Sequence, residues 1–169
     1  RNIKMKNKIG VMQGRLLPKY QGRYQAHPVG YWQDEFLVAA ELGLDYIEFI
    51  LDFNDASQNP LMIPHGIEDI LSVSKKSGVQ VKTICADYFM EAPLHSASNE
   101  ISQKSQNILK KLIHNGVQLG ISDIVIPCVD QSSLVDSSAK QLFIESIQSS
   151  LKLAEEVEIN LSLETDLAP

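Results

Sequence analysis

Five short apolar runs in this sequence end in residues that can move protons or hold cations. Gln13, Gly14 and Arg15 close the first run, and Glu48 and Asp52 the second. Cys85 and Asp87 close the third, Asp130 the fourth, and Glu164 and Asp166 the fifth. Carboxylates gathered at one end of a fold suit two tasks. Their oxygens are preferred ligands of hard divalent cations, and a carboxylate beside a carbonyl substrate can remove a neighbouring proton. Glu48 and Glu164 stand inside their runs rather than after them, which makes a purely solvated role less fitting. Asp52, Asp130 and Asp166 fit helix caps or exposed loop positions as well as they fit a site.

Other chemistries find little support. The phosphate-cradling patterns GxGxxG and GxxxxGK[ST], the nucleophile elbow GxSxG and the zinc motif HExxH do not occur. The four histidines are scattered: His114 falls within a helical stripe, His65 at a helix start, and His27 and His95 in loops that follow strands. The last two would face the carboxylate end and are candidates for substrate contact. Cys85 and Cys128 sit in apolar surroundings, with no disulfide framework or CxxC metal pattern.

What must position these groups is a repeat. Gly43, Gly78 and Gly120 are 35 and 42 residues apart, and each precedes a run of strand length rich in β-branched residues. These runs are Leu44–Ile50, Val79–Cys85 and Ile121–Ile126. A fourth copy, Val157–Glu164, carries Glu158 where the glycine would be, and Lys8–Gln13 reads as the strand before them all. Between the strands lie stripes with the helical period. They run through Trp32, Phe36, Ala39 and Ala40; through Ile67, Ile70, Leu71 and Ser74; through Ile101, Ser105, Ile108, Leu109 and Leu112; and through Ala139, Leu142, Phe143, Ile147, Leu151 and Ala154. The glycine after each of the first three can close its helix in the left-handed conformation.

The order is β-α-β-α-β-α-β-α-β, which means parallel strands with helical crossovers. An open doubly wound sheet and part of a (β/α)₈ barrel both fit. Two features favour the barrel. The sequence reaches Thr165-Asp166-Leu167-Ala168-Pro169 straight after a strand, with no covering helix. The fifth strand also alternates, with Ile159, Leu161 and Leu163 on one face and Asn160, Ser162 and Glu164 on the other. An open parallel sheet buries both faces, whereas the inward face of a barrel near its C-terminal end is where polar groups belong. The expectation is an α/β fold of TIM type: a single domain over 1–169 holding the first five strands and four helices of a barrel that continues beyond strand five.

Composition narrows the partners. The chain has 169 residues, 44% of them hydrophobic, which is enough for a packed core. A net charge of −6 argues against a phosphate backbone as partner. No apolar run approaches the length of a membrane span, and the basic Arg1–Lys8 segment lacks the apolar stretch of a signal peptide. Met5 fits a natural start. The expectation is a cytoplasmic protein, without nucleic acid or membrane partners, that acts on a small molecule and can form a homo-oligomer.

Several motifs resemble one family. Ile9-Gly10-Val11-Met12-Gln13-Gly14-Arg15-Leu16 and Ala40-Glu41-Leu42-Gly43-Leu44-Asp45-Tyr46-Ile47-Glu48-Phe49 are similar to the start of sugar phosphate isomerases/epimerases of the xylose-isomerase-like TIM-barrel superfamily. Ile84-Cys85-Ala86-Asp87 and Leu161-Ser162-Leu163-Glu164 continue the resemblance in the same order. It implies a divalent metal (Mn, Zn, Mg or Co) held by Glu, Asp, His and Glu at the ends of strands five to eight. Glu164 matches the first of these ligands, and the other three would lie beyond Pro169. Glu48 matches a glutamate frequent in the second strand. The resemblance implies Glu164 as metal ligand and catalytic residue and makes Glu48 a substrate-side or structural group; its place inside the strand keeps Glu48 as a second catalytic candidate, and Arg15, Gln13 and Asp87 are substrate-binding candidates, with Arg15 suited to an anionic group. The implied reaction moves a proton next to the carbonyl of a sugar or sugar phosphate through an enediolate. With one ligand of four, the 169 residues alone are expected to be inactive.

Three other functions compete. An AP endonuclease of the same superfamily carries extra histidines after strands two to four, where this chain has Cys85-Ala86-Asp87-Tyr88 and Pro127-Cys128-Val129-Asp130. A polyol lyase is chemically closer to the isomerase. A non-enzymatic, flavodoxin-like binding domain would need the doubly wound sheet.

Overall fold

The computed structural model describes residues 7–167, so the Met5 start and Ala168-Pro169 lie outside the described residues. Five strands form: β1 (Gly10–Met12), β2 (Tyr46–Ile50), β3 (Gln80–Cys85), β4 (Asp123–Cys128) and β5 (Asn160–Thr165). Each pairs in parallel with the next, giving one sheet in the order β1-β2-β3-β4-β5. That order decides between the two architectures. A doubly wound sheet reverses direction at a switch point, and this sheet never does. It is the wall of a (β/α) barrel, the architecture that the alternation of the fifth strand favours.

Helices α1 (Asp34–Glu41), α2 (Gly66–Ser77), α4 (Asn99–Leu119) and α5 (Ser137–Glu156) are the four expected crossovers. The one-turn α3 (Tyr88–Glu91) is an addition to the expected order. It is too short to show a helical period, and it seats Tyr88 and Phe89 in the core. Gly43, Gly78 and Gly120 take the expected left-handed conformation, and Glu158, at the glycine's place in the fourth copy, takes it too (φ 59°).

Alternation along the strands sorts the sheet into two faces. Ile47, Phe49, Val81, Ile84, Ile124 and Ile126 face the helices and are buried against Phe36, Ile70, Leu109 and Leu112. The opposite face carries Glu48, Thr83, Asp123, Ser162 and Glu164. Some stripe positions depart from expectation. Trp32 precedes α1 rather than lying in it, and packs edge-on against Phe36 and Phe49. Leu71, Ile101, Leu142 and Leu151 are exposed, because each lies at the margin of its stripe, beyond reach of the sheet. Leu163 is 46% exposed, since β5 is the edge of the sheet among the described residues.

The register between β2 and β3 slips at Ile47/Glu48, pairing Ile47 with Val81 but Glu48 with Thr83. Lys82 is the extra residue of this bulge. Without it, Lys82 rather than Thr83 would stand opposite Glu48.

Candidate active site

The polar face begins with that pair. Thr83 Oγ1 donates to Glu48 Oε2 at 2.5 Å, which orients the carboxylate and leaves its second oxygen uncommitted by this bond. Glu48 lines a hollow of about 250 Å³ together with Met12, Tyr46 and Thr83. Two residues further along β3, Cys85 is buried and its Sγ donates to Asp87 Oδ1 at 3.2 Å. Burial pushes the Cys85 thiol up, and the nearby charges of Asp87, Glu48 and Glu164 add to the shift. The thiol therefore stays protonated. Burial also raises the Asp87 carboxyl, against hydrogen bonds from Cys85 and Gln25 that lower it.

The first loop, residues 13–33, folds back over the ends of β1–β3. Arg15 is exposed, and its Nη2 donates to Gln25 Oε1 at 3.2 Å. Gln25 Nε2 in turn donates to Asp87 Oδ2 at 3.3 Å, so Arg15 and Asp87 are joined through one amide. Arg23 pairs with Asp52 at 3.1 Å, and Asp52 also accepts from the His27 backbone N–H at 2.8 Å. Asp52 is 5% exposed, so it is neither a helix cap nor an exposed loop residue, as the sequence allowed; it is a buried tie between two loops. Arg23, Asp52, Asp87 and Glu91 line a small cavity of about 100 Å³. A larger hollow, about 360 Å³, lies outside this cluster, between the 53–62 loop and α4, and holds neither Glu48 nor Glu164.

Gln13 is fully buried. Its Oε1 accepts from the Ile50 backbone N–H at 2.9 Å and lies 3.3 Å from His27 Nδ1, while its Nε2 has no partner among the described residues. Because an amide oxygen only accepts, His27 must carry its proton on Nδ1. Burial holds His27 down at about 4, so it is neutral at pH 7. Of the other loop groups, Asp166 is exposed and accepts from Ser133 Oγ at 2.7 Å. Asp130 opens a 3-10 turn with a positive φ. His65 and His114 are exposed.

A divalent ion is implied by the resemblance, and the donor set fits it in one position. Glu164, near the C-terminal end of β5, is exposed and makes no hydrogen bond with another described group, so its oxygens are open to a hard cation. No three His, Cys, Asp or Glu side chains come together as a ligand set among the described residues.

Comparison with known proteins agrees with this geometry. The profile described as xylose isomerase-like TIM barrel matches residues 36–167. The chain belongs to this family. It is 27% identical over 161 residues to the Haemophilus influenzae protein named Putative L-ribulose-5-phosphate 3-epimerase SgbU, covering 94% of this chain and 53% of that one. Among solved structures, D-psicose 3-epimerase of Clostridium cellulolyticum H10, determined with D-tagatose, superposes with a TM-score of 0.68 at 16% identity, over 93% of this chain and 52% of the other. The E. coli 3-keto-D-glucoside 4-epimerase YcjR superposes with a TM-score of 0.65 at 17% identity, over 94% and 56%. The chain thus spans about half the length of the relatives it matches.

Glu35, Gln25, Arg23 and Thr83 carry no mark of a site in the sequence. Glu35 reads as an ordinary acidic residue in the first turn of a helix. Thr83 is brought to Glu48 only by the bulge.

Proposed function

We propose that this chain is the N-terminal part of a metal-dependent isomerase or epimerase that moves a proton next to the carbonyl of a sugar or sugar phosphate in the cytoplasm. The observation that carries the proposal is the polar face of the sheet. Glu48 on β2 and Glu164 on β5 share that face of one parallel sheet, the face on which barrel enzymes place their chemistry, in a family whose profile covers residues 36–167. Among the relatives, SgbU, D-psicose 3-epimerase and the keto-glucoside epimerase all bear epimerase names.

Glu164 would hold the divalent ion (Mn, Zn, Mg or Co), which when bound polarises the substrate carbonyl and makes the adjacent C–H more acidic. Glu48 receives or returns a proton through the oxygen that Thr83 leaves open. Asp87, raised by burial, accepts from a substrate hydroxyl, and Arg15 donates to a neighbouring oxygen. Gln13, buried beneath them, holds the backbone of Ile50 and so acts on the substrate through position rather than contact.

The test is proton exchange. The protein at its natural length, incubated in D₂O with D-tagatose, D-psicose or L-ribulose 5-phosphate and Mn²⁺, should incorporate deuterium at the carbon beside the carbonyl. No exchange with any ketose, with metal supplied, would overturn the proposal.

A further inference from the structure

Glu35 is fully buried, yet it makes no ion pair among the described residues. Its Oε2 accepts from the Gly14 N–H at 2.7 Å and its Oε1 from the Leu16 N–H at 3.0 Å. Burial raises its carboxyl, and these backbone donors oppose the rise. A leucine here would fill the space without the cost of desolvating a charge. Phe36 and Ala39 already fasten α1 to the sheet, so the helix does not need the carboxylate to stay in place. What needs it is the turn after β1. From the other side, that turn is pressed so closely against residues 24–26 that a Cβ on Gly14 would lie 2.2 Å from the Tyr24 carbonyl oxygen. The turn is gripped between a buried carboxylate and the returning loop. On it ride Arg15 and, through Gln25, the contact with Asp87.

We infer that Glu35 is a positioning residue: it fixes the 13–33 loop over the ends of β1–β3 and thereby sets how Arg15, Gln25 and Asp87 meet the substrate. Its kinetic half rests on the epimerase reading, and its structural half does not. Glu35→Gln keeps the shape and one acceptor oxygen, but turns an N–H donor toward the other amide. In the protein at its natural length, hydrogen exchange at the Gly14 or Leu16 amide should speed up about tenfold or more. KM for the ketose should rise about tenfold, with kcat within about threefold of the parent. Gln25→Leu, which removes a side chain bonded to Arg15 and Asp87 but not to Glu35 or these amides, should raise KM similarly while both amides stay protected. Glu35→Gln with protected amides and an unchanged KM would overturn the inference, as would a fall in kcat alone. If Glu35→Gln does not fold, an unchanged KM in Gln25→Leu overturns it. A parent protein that exchanges no ketose defeats the epimerase reading, and amide exchange at Gly14 and Leu16 then decides the clamp.

Discussion

Replacing Gly14 with alanine tests the packing that brings the first loop to the site. Gly14 has φ +87°, a left-handed conformation that costs a residue with a Cβ about 1–2 kcal/mol. The new Cβ would also lie 2.2 Å from the Tyr24 oxygen and 2.6 Å from the Ala26 oxygen. Both are backbone atoms that cannot rotate away, so residues 24–26 or the turn must retreat by roughly 1 Å. That movement lengthens the 2.7 Å bond from Gly14 to the buried Glu35 carboxylate. A hydrogen bond to a charged group is worth about 1.5–3 kcal/mol. Together these give a loss of about 2.5–5 kcal/mol, a large share of the about 5–15 kcal/mol that holds a typical domain. Gly22→Ala is the internal control. It shares the positive φ (+80°), but a Cβ there would meet nothing within 4 Å, so only the conformational cost applies, about 1–2 kcal/mol. Urea unfolding followed by the fluorescence of Trp32, the single tryptophan, measures both variants. Equal losses for Gly14→Ala and Gly22→Ala would refute the argument that the turn is gripped from two sides.

Three further outcomes follow from the same geometry. His27 titrates at about 4 in the folded protein against an ordinary 6.5, so the unfolded chain binds the extra proton first and stability falls as pH drops from 6.5 toward 4. That loss is about 3 kcal/mol at most, partly offset by the raised Glu35 and Asp87 carboxyls, whose contribution runs the other way; His27→Asn, with a donor in place of Nδ1, should flatten the slope of stability against pH, and an unchanged slope would contradict it. Thr83→Val removes the donor to Glu48 without changing shape, and should lower turnover about tenfold while shifting the urea midpoint little; parent-like turnover would count against Glu48 as an oriented proton carrier. The 169-residue chain alone should bind Mn²⁺ only weakly, because one carboxylate does not make a shell, and calorimetry showing a tight stoichiometric site would contradict the single-ligand assignment.

The sheet is legible in the sequence because its signal is local and repeated. A left-handed closing residue followed by a β-branched run recurs at Gly43, Gly78 and Gly120, and the copy at Glu158 keeps the conformation without the glycine. The alternation of β5 likewise sorts Glu164 from Leu161 by residue type alone. What stays hidden depends on contacts between distant segments. Asp52 is buried because Arg23 and the His27 amide, both over 20 residues away, converge on it. Glu35 is buried because the turn at Gly14 closes over it. Thr83 meets Glu48 because Lys82 bulges out of register, and no residue in that run marks the bulge. Gln13 sits at a strand end, as substrate-binding residues do, yet its side chain turns inward to Ile50, and residue type does not record that direction.

Above all, Glu164 should belong to the chemistry of a proton-moving sugar enzyme. The most direct measurement compares Glu164→Gln with Asp166→Asn in the protein at its natural length, scoring bound metal and deuterium exchange at the carbon beside the ketose carbonyl. Glu164→Gln keeps the volume at an exposed position but removes the charge that a hard cation needs, so metal content should fall and exchange should drop about 10²–10³-fold or more. Asp166→Asn loses only a loop contact with Ser133 and should stay within a few-fold of the parent. A Glu164→Gln protein that keeps its metal and exchanges the proton at the parent rate would contradict the assignment.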